Sequence, residues 1–104
     1  MDKSEALNKV AMFIQAVVDE YNPSQIILFG SFARGTQNEN SDIDIAVVMD
    51  KVEGSFLDKE ARLYKIRRNI DTNIEPILLE SSSDESGFLN QILSYGEVLY
   101  TKSA

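Results

Sequence analysis

Eight residues restrict this chain more than any others: Ser41-Asp42-Ile43-Asp44-Ile45-Ala46-Val47-Val48. The run from Ile43 to Met49 is apolar enough for a strand covered on both faces, yet it is entered through two aspartates. Side chains along a strand repeat every two residues, so Asp42 and Asp44 point to one side and Ile43 and Ile45 to the other. Two like charges about 7 Å apart at the mouth of an apolar element carry an electrostatic cost. A divalent cation relieves it, and hard Mg²⁺ takes carboxylate oxygens, water and substrate phosphates as ligands. In the competing reading Asp42 only turns or caps the loop and Asp44 faces solvent.

The pattern around this strand alternates between helix and strand. Leu7, Val10, Ala11, Ile14, Val17, Val18 and Tyr21 recur at three- and four-residue steps, predicting a helix over 4–21 with Ser4 as cap and Pro23 past its end. Ile26 to Phe29 is a short buried strand stopped by Gly30, and residues 36–41 are a polar connection. A second long helix spans Phe56 to Ile70, with Leu57, Ala61 and Tyr64 as its apolar positions and Phe56, Leu63, Ile66 and Ile70 beside them. Strand 73–79 follows, so strand, helix, strand implies a parallel pair, with Pro76 at an edge, bulge or strand end. Ser81 to Asp84 leads into a short helix over about 85–95, ended by Gly96, before a last strand, Val98 to Tyr100. The expected fold is α+β or α/β, a mixed sheet of about four strands with helices mainly on one side. Residues 1–104 are expected to form one domain, without a repeat, a linker or a second catalytic unit.

Composition narrows the chemistry. There is no histidine, which removes the commonest general base, and no cysteine, which removes thiolate nucleophiles, disulfides and zinc clusters, so reactions must run on oxygen ligands. A formal charge of −7 repels polyanions and argues against duplex DNA as a partner. No stretch approaches the roughly 18 apolar residues of a membrane span, and the first residues lack a signal pattern, so a cytoplasmic location is expected.

Two further elements sit near the aspartates in the expected fold. Gly30-Ser31-Phe32-Ala33-Arg34-Gly35 follows a buried strand, where glycine permits a sharp turn. Its backbone amides and the Ser31 hydroxyl suit phosphate oxygens, and Arg34 adds positive charge. The hexapeptide is neither the dinucleotide fingerprint nor a Walker loop, and a plain glycine-bounded turn is the alternative. Glu75 stands alone among apolar residues in the third strand and reaches the aspartates' face if that strand lies parallel beside the second. Three carboxylates can hold two metal ions about 3.5 to 4 Å apart, an arrangement for phosphoryl or nucleotidyl transfer that needs no histidine. Alternatively Glu75 faces solvent on an edge strand.

These elements, in this order, resemble the nucleotidyltransferases of the DNA polymerase beta superfamily, especially the minimal nucleotidyltransferases, over nearly the whole chain. The resemblance rests on Gly30 and Ser31 for the triphosphate turn, on Asp42 and Asp44 within Ser41 to Val48 for paired metal ligands, and on Glu75 for the third acid, often Asp in the family. The ending Tyr95-Gly96-Glu97-Val98-Leu99-Tyr100 is also similar. It implies a nucleoside triphosphate such as ATP as substrate, two Mg²⁺ ions, and transfer of a nucleoside monophosphate to an acceptor hydroxyl. It also implies a separate helical partner, commonly of the HEPN class, in a toxin–antitoxin pair. Other readings are a noncatalytic neutralising subunit of such a pair and an enzyme that modifies small molecules.

Two surface features remain open in the sequence. Lys59, Arg62, Lys65, Arg67 and Arg68 form either a solvated helix face paired with Asp58 and Glu60 or a docking patch for an acidic partner or RNA. Phe13, between Met12 and Ile14, is either a subunit contact, which would make the chain an oligomer, or part of the core.

Overall fold

A computed structural model describes residues 1–103. Helix α1 (Lys3–Tyr21) leads into strand β1 (Gln25–Phe29), a single-turn helix α2 (Gly30–Arg34) and strand β2 (Ile43–Met49). Helix α3 (Phe56–Arg68), strand β3 (Ile74–Glu80), a 3₁₀ turn (Ser81–Ser83), helix α4 (Phe88–Leu93) and strand β4 (Glu97–Thr101) complete the chain. The sheet order is β3-β2-β1-β4, with β2 parallel to β3 and the other pairs antiparallel. The mixed sheet, the parallel pair and the edge position of the strand that carries Pro76 agree with the sequence reading.

Period-2 alternation sorts the strand side chains into two cores. Ile26, Leu28, Ile43, Ile45, Val47, Ile74 and Leu78 pack beneath α1 and α3 with Phe32 of α2. Phe13 is fully buried there, so it is a core residue and its side chain offers no subunit contact. Ile27, Ala46 and Val48 face the other side and are covered by Leu89 and Ile92 of α4, with Phe29, Ile77 and Leu79 partly buried beside them. Six residues of helix cover much less sheet than α1 and α3 do, and Phe88, Leu93 and Val98 stay exposed on this thinner side.

Local details differ from the sequence reading at several points. Asp2, rather than Ser4, caps α1 by accepting from the Glu5 amide at 2.8 Å. The stripe that α3 buries runs through Leu63 and Ile66, with Phe56 and Ile70 at its margins. Leu57 is 76% exposed and Ala61 is also exposed, because this amphipathic helix turns its polar side through both positions. The last helix begins at Phe88, after the Asp84 carboxylate has taken the free amides of Leu89 and Asn90, each at 3.0 Å.

The basic residues of α3 do not pair with Asp58 and Glu60. Arg62 makes a forked ion pair with Glu20 of α1, whose carboxyl it holds below the usual range. Glu60 instead accepts the Leu78 amide of edge strand β3 at 3.0 Å. This contact satisfies an amide that an edge strand leaves without a ladder partner.

Candidate active site

The thinner face of the sheet carries the acidic residues at one end. Parallel pairing places Asp44 of β2 opposite Glu75 of β3, and antiparallel pairing places Asp44 opposite Phe29, the last residue of β1. Asp44 and Glu75 belong by alternation to the rows Asp44-Ala46-Val48 and Glu75-Ile77-Leu79, whose apolar members face α4. Asp42 lies just outside the strand and is exposed, and its like charge is felt by Asp44.

Asp44 is half-buried, and its carboxyl is held above the usual aspartate range, first by burial, then by the charges of Asp42 and Glu75. The Asp44 carboxylate therefore stands in a place that disfavours its own charge. A cation removes that penalty. Among the described residues no three carboxylates are gathered tightly enough to enclose an ion by themselves. Mg²⁺ ordinarily takes only one or two carboxylates and completes its shell with water and substrate phosphates, so the donor set fits such an ion.

The glycine turn lies directly against this carboxylate. Gly30 has φ +69°, and a Cβ at this position would lie 2.1 Å from Asp44 Oδ2. The position therefore excludes a side chain on both conformational and steric grounds. Phe32, fully buried, ties the one-turn helix α2 to the core, while Ser31 stays partly exposed beside the acids. Gly35, in the left-handed conformation, ends the helix, and Thr36 donates back to the Ser31 carbonyl at 3.0 Å.

Arg34 and Tyr95 complete the surroundings of the turn. The Arg34 guanidinium lies over the ring of Tyr95, 3.7 Å from its centroid. The Tyr95 hydroxyl oxygen accepts the Gly30 amide at 2.9 Å. The sequence reading missed Tyr95 as a contact of the turn; the only local signal was its position beside Gly96. A Cβ on Gly96 would come within 2.7 Å of the Ile92 carbonyl and 2.8 Å of the Leu28 carbonyl, so glycine lets this segment press against β1.

Gly30, Ser31, Arg34, Asp44 and Glu75 thus share one end of the sheet, with Asp42 at its rim. Two surface concavities lie away from it. One, about 160 Å³, is lined by Glu20, Tyr21, Asp58, Lys59 and Arg62; the other, about 530 Å³, is lined by residues including Ser24, Asp50, Ser81 and Lys102 at the far end of the sheet. Neither includes any of the three acids. Between α1 and α3, burial and the Glu20 charge push the Tyr21 hydroxyl up to about 12 while it donates to the Lys59 carbonyl at 2.5 Å, a helix-to-helix tie remote from the acids.

A four-stranded mixed sheet with a glycine turn against an acidic strand entrance defines a nucleotidyltransferase domain. The chain belongs to the polymerase beta nucleotidyltransferase family, whose profile matches residues 13–104. It is 36% identical over 78 residues to the protein adenylyltransferase MntA of Shewanella oneidensis, covering 72% of this chain and 52% of MntA. A candidate protein adenylyltransferase of Methanocaldococcus jannaschii, MJ0604, is 33% identical over 103 residues, covering 96% of this chain and all of that protein. A second from the same archaeon, MJ1305, is 33% identical over 90 residues, or 77% of this chain and 58% of its own length. The chain thus spans between half and three-fifths of the length of MntA and MJ1305.

Solved structures agree with the fold. A candidate nucleotidyltransferase from Sulfolobus solfataricus superposes with a TM-score of 0.71 at 24% identity, over 96% of this chain and 84% of its own. A toxin–antitoxin crystal structure with AMP-PNP contains a chain that matches with a TM-score of 0.68 at 30% identity, over 90% of this chain and 72% of its own.

Proposed function

We propose that this chain is a Mg²⁺-dependent protein adenylyltransferase that moves AMP from ATP to a hydroxyl on a separate helical protein of the HEPN class, acting as the antitoxin of a two-component pair. The observation that carries the reading is the contact between the glycine turn and the acidic pair: Gly30 leaves room only for the Asp44 carboxylate, and Asp44 is register-paired with Glu75. Support comes from the relatives, of which MntA is a protein adenylyltransferase and MJ0604 and MJ1305 are candidate ones, and from the toxin–antitoxin neighbour crystallised with AMP-PNP.

In this reading residues 1–104 act as one minimal domain in the cytoplasm, where nucleoside triphosphates are available. Ser31 and the amides that follow Gly30 in the turn bind the β- and γ-phosphates, and Arg34 offsets their charge. Asp42 and Asp44 hold the metal, with Glu75 completing a second ion position. Bound Mg²⁺ supplies charge neutralisation of the triphosphate and a lowered pKa for the attacking hydroxyl. The acceptor oxygen forms a bond to the α-phosphorus, the bond to the bridging oxygen breaks, pyrophosphate leaves, and the acceptor proton passes to the Glu75 carboxylate.

The toxin–antitoxin neighbour also favours a second reading, in which the same fold neutralises a partner by binding alone. One experiment separates them. Wild type and Asp42→Asn/Asp44→Asn are incubated with α-labelled ATP, Mg²⁺ and the product of the adjacent reading frame. Label on the partner with wild type only supports transfer, whereas neutralisation by both proteins without label supports binding.

A further inference from the structure

Tyr95 touches the phosphate turn in two ways, through its hydroxyl and through its ring. Its hydroxyl oxygen accepts the Gly30 N–H, the first of the α2 amides that a helix start leaves unpaired. A hydroxyl accepting through a lone pair still has its own proton to donate, and among the described residues no group takes it. Its ring meanwhile supports Arg34. A guanidinium held 3.7 Å from a ring centroid is attracted through the π face and spends no N–H on it, and Arg34 makes no ion pair among the described residues. One side chain from the end of α4 thus reaches 65 residues back to hold a backbone turn, and places an O–H and an N–H fork beside it.

We propose that Tyr95 is the positioning residue of the triphosphate site, fixing the Gly30–Ser31 turn through its hydroxyl and aiming Arg34 at the phosphates through its ring. The inference rests on the nucleotidyltransferase reading and adds to it the residue that sets phosphate affinity. Close packing of Gly96 against the Leu28 carbonyl keeps this arm in place, since a side chain there would lift the segment off β1. The contacts made by Tyr95 thus bear on the polyphosphate end of the nucleotide.

The test uses the full chain with Mg²⁺ and three variants, each checked for folding by circular dichroism and thermal melting. Tyr95→Phe keeps the ring under Arg34 and removes the hydroxyl; Tyr95→Leu removes both; Arg34→Ala changes an exposed residue and leaves the turn intact. Binding of ATP, GTP and inorganic triphosphate is measured by calorimetry, and KM and kcat are measured where transfer occurs. Tyr95→Phe is expected to weaken all three ligands by about three- to tenfold, the scale of one hydrogen bond. KM should rise while kcat stays within about twofold, as for lost uniform binding. Tyr95→Leu should lose more, and adding Arg34→Ala to it should cost less than Arg34→Ala alone, because the stack is already gone. Unchanged affinities in folded Tyr95→Phe and Tyr95→Leu, with wild type binding all three, overturn the inference and leave the enzyme reading standing. If wild type binds neither ATP nor triphosphate in Mg²⁺, both fall.

Discussion

Asp44 and Glu75 are register partners across the parallel β2–β3 ladder, and the Asp44 carboxylate fills the space where a side chain on Gly30 would be. Three strand ends therefore meet at one acidic group. Each approach costs electrostatic or conformational energy that packing alone does not require.

Relieving that cost should stabilise the protein while disabling it. Asp44→Asn removes a half-buried charge that burial and two carboxylates disfavour. In the absence of metal its Tm at neutral pH should rise by about 2 to 5 °C, the scale of a modest gain in a domain of this size. AMP transfer should fall by at least about a hundredfold. Thermal melts with and without Mg²⁺, run beside the label assay, check both; an Asn variant melting below wild type without metal would remove the electrostatic argument.

The pH dependence follows from the same group. Because the folded carboxyl binds its proton more tightly than the unfolded chain does, the Asp44 contribution is most favourable below the ordinary aspartate range. It is lost as pH rises from about 4 through the raised native value. The Tm difference between Asp44→Asn and wild type should accordingly be small in acid, grow across that window and then stay level. Melting curves at half-unit pH steps read it directly.

Gly30→Ala should damage both fold and function. A Cβ there meets Asp44 Oδ2 at 2.1 Å, in a backbone region unfavourable to L residues. We expect a loss of about 1–3 kcal/mol in denaturant unfolding, with nucleotide binding abolished in whatever remains folded. Gly35→Ala, which meets nothing within 4 Å, carries the backbone penalty alone and should be milder.

Glu75 tests the third acid. Glu75→Gln should cut transfer by about ten- to a thousandfold while leaving triphosphate binding largely intact, since its role is assigned to the acceptor side. Glu75→Asp should restore part of the rate. Equal rates in wild type and Glu75→Gln would assign the proton transfer to another group.

Phe13→Ala should cost about 3–5 kcal/mol in urea unfolding, because a fully buried ring leaves a cavity under α1. Met12→Ala, 58% exposed one residue earlier, should stay within about 0.5 kcal/mol. Comparable losses at the two positions would contradict the orientation of the helix.

Periodicity and local chemistry made much of this legible. The run that became β1 is apolar on successive positions, those of β2 and β3 are apolar apart from Asp44, Glu75 and Pro76, and the parallel pairing of β2 with β3 followed from a helix-length crossover. Phe13 was ambiguous because a helix with apolar residues at 12, 13 and 14 does not declare which of them turns inward; contact with the sheet settled that. In α3 the apolar residues Leu57 and Ala61 drew the eye, but facing the sheet with Leu63 and Ile66 sends both to solvent. Arg62 and Glu20 are 42 positions apart, so no local rule could have paired them.

By itself the sequence determined most of the elements, the glycine turn and the presence of acidic residues in otherwise apolar strands, because these depend on neighbours a few residues away. Tertiary structure alone decided that Asp44 faces Gly30 and Glu75, and that Tyr95 reaches the turn. Those relations depend on strand register and on the close packing that Gly96 permits, which bring together groups whose separation along the chain carries no sign of their contact.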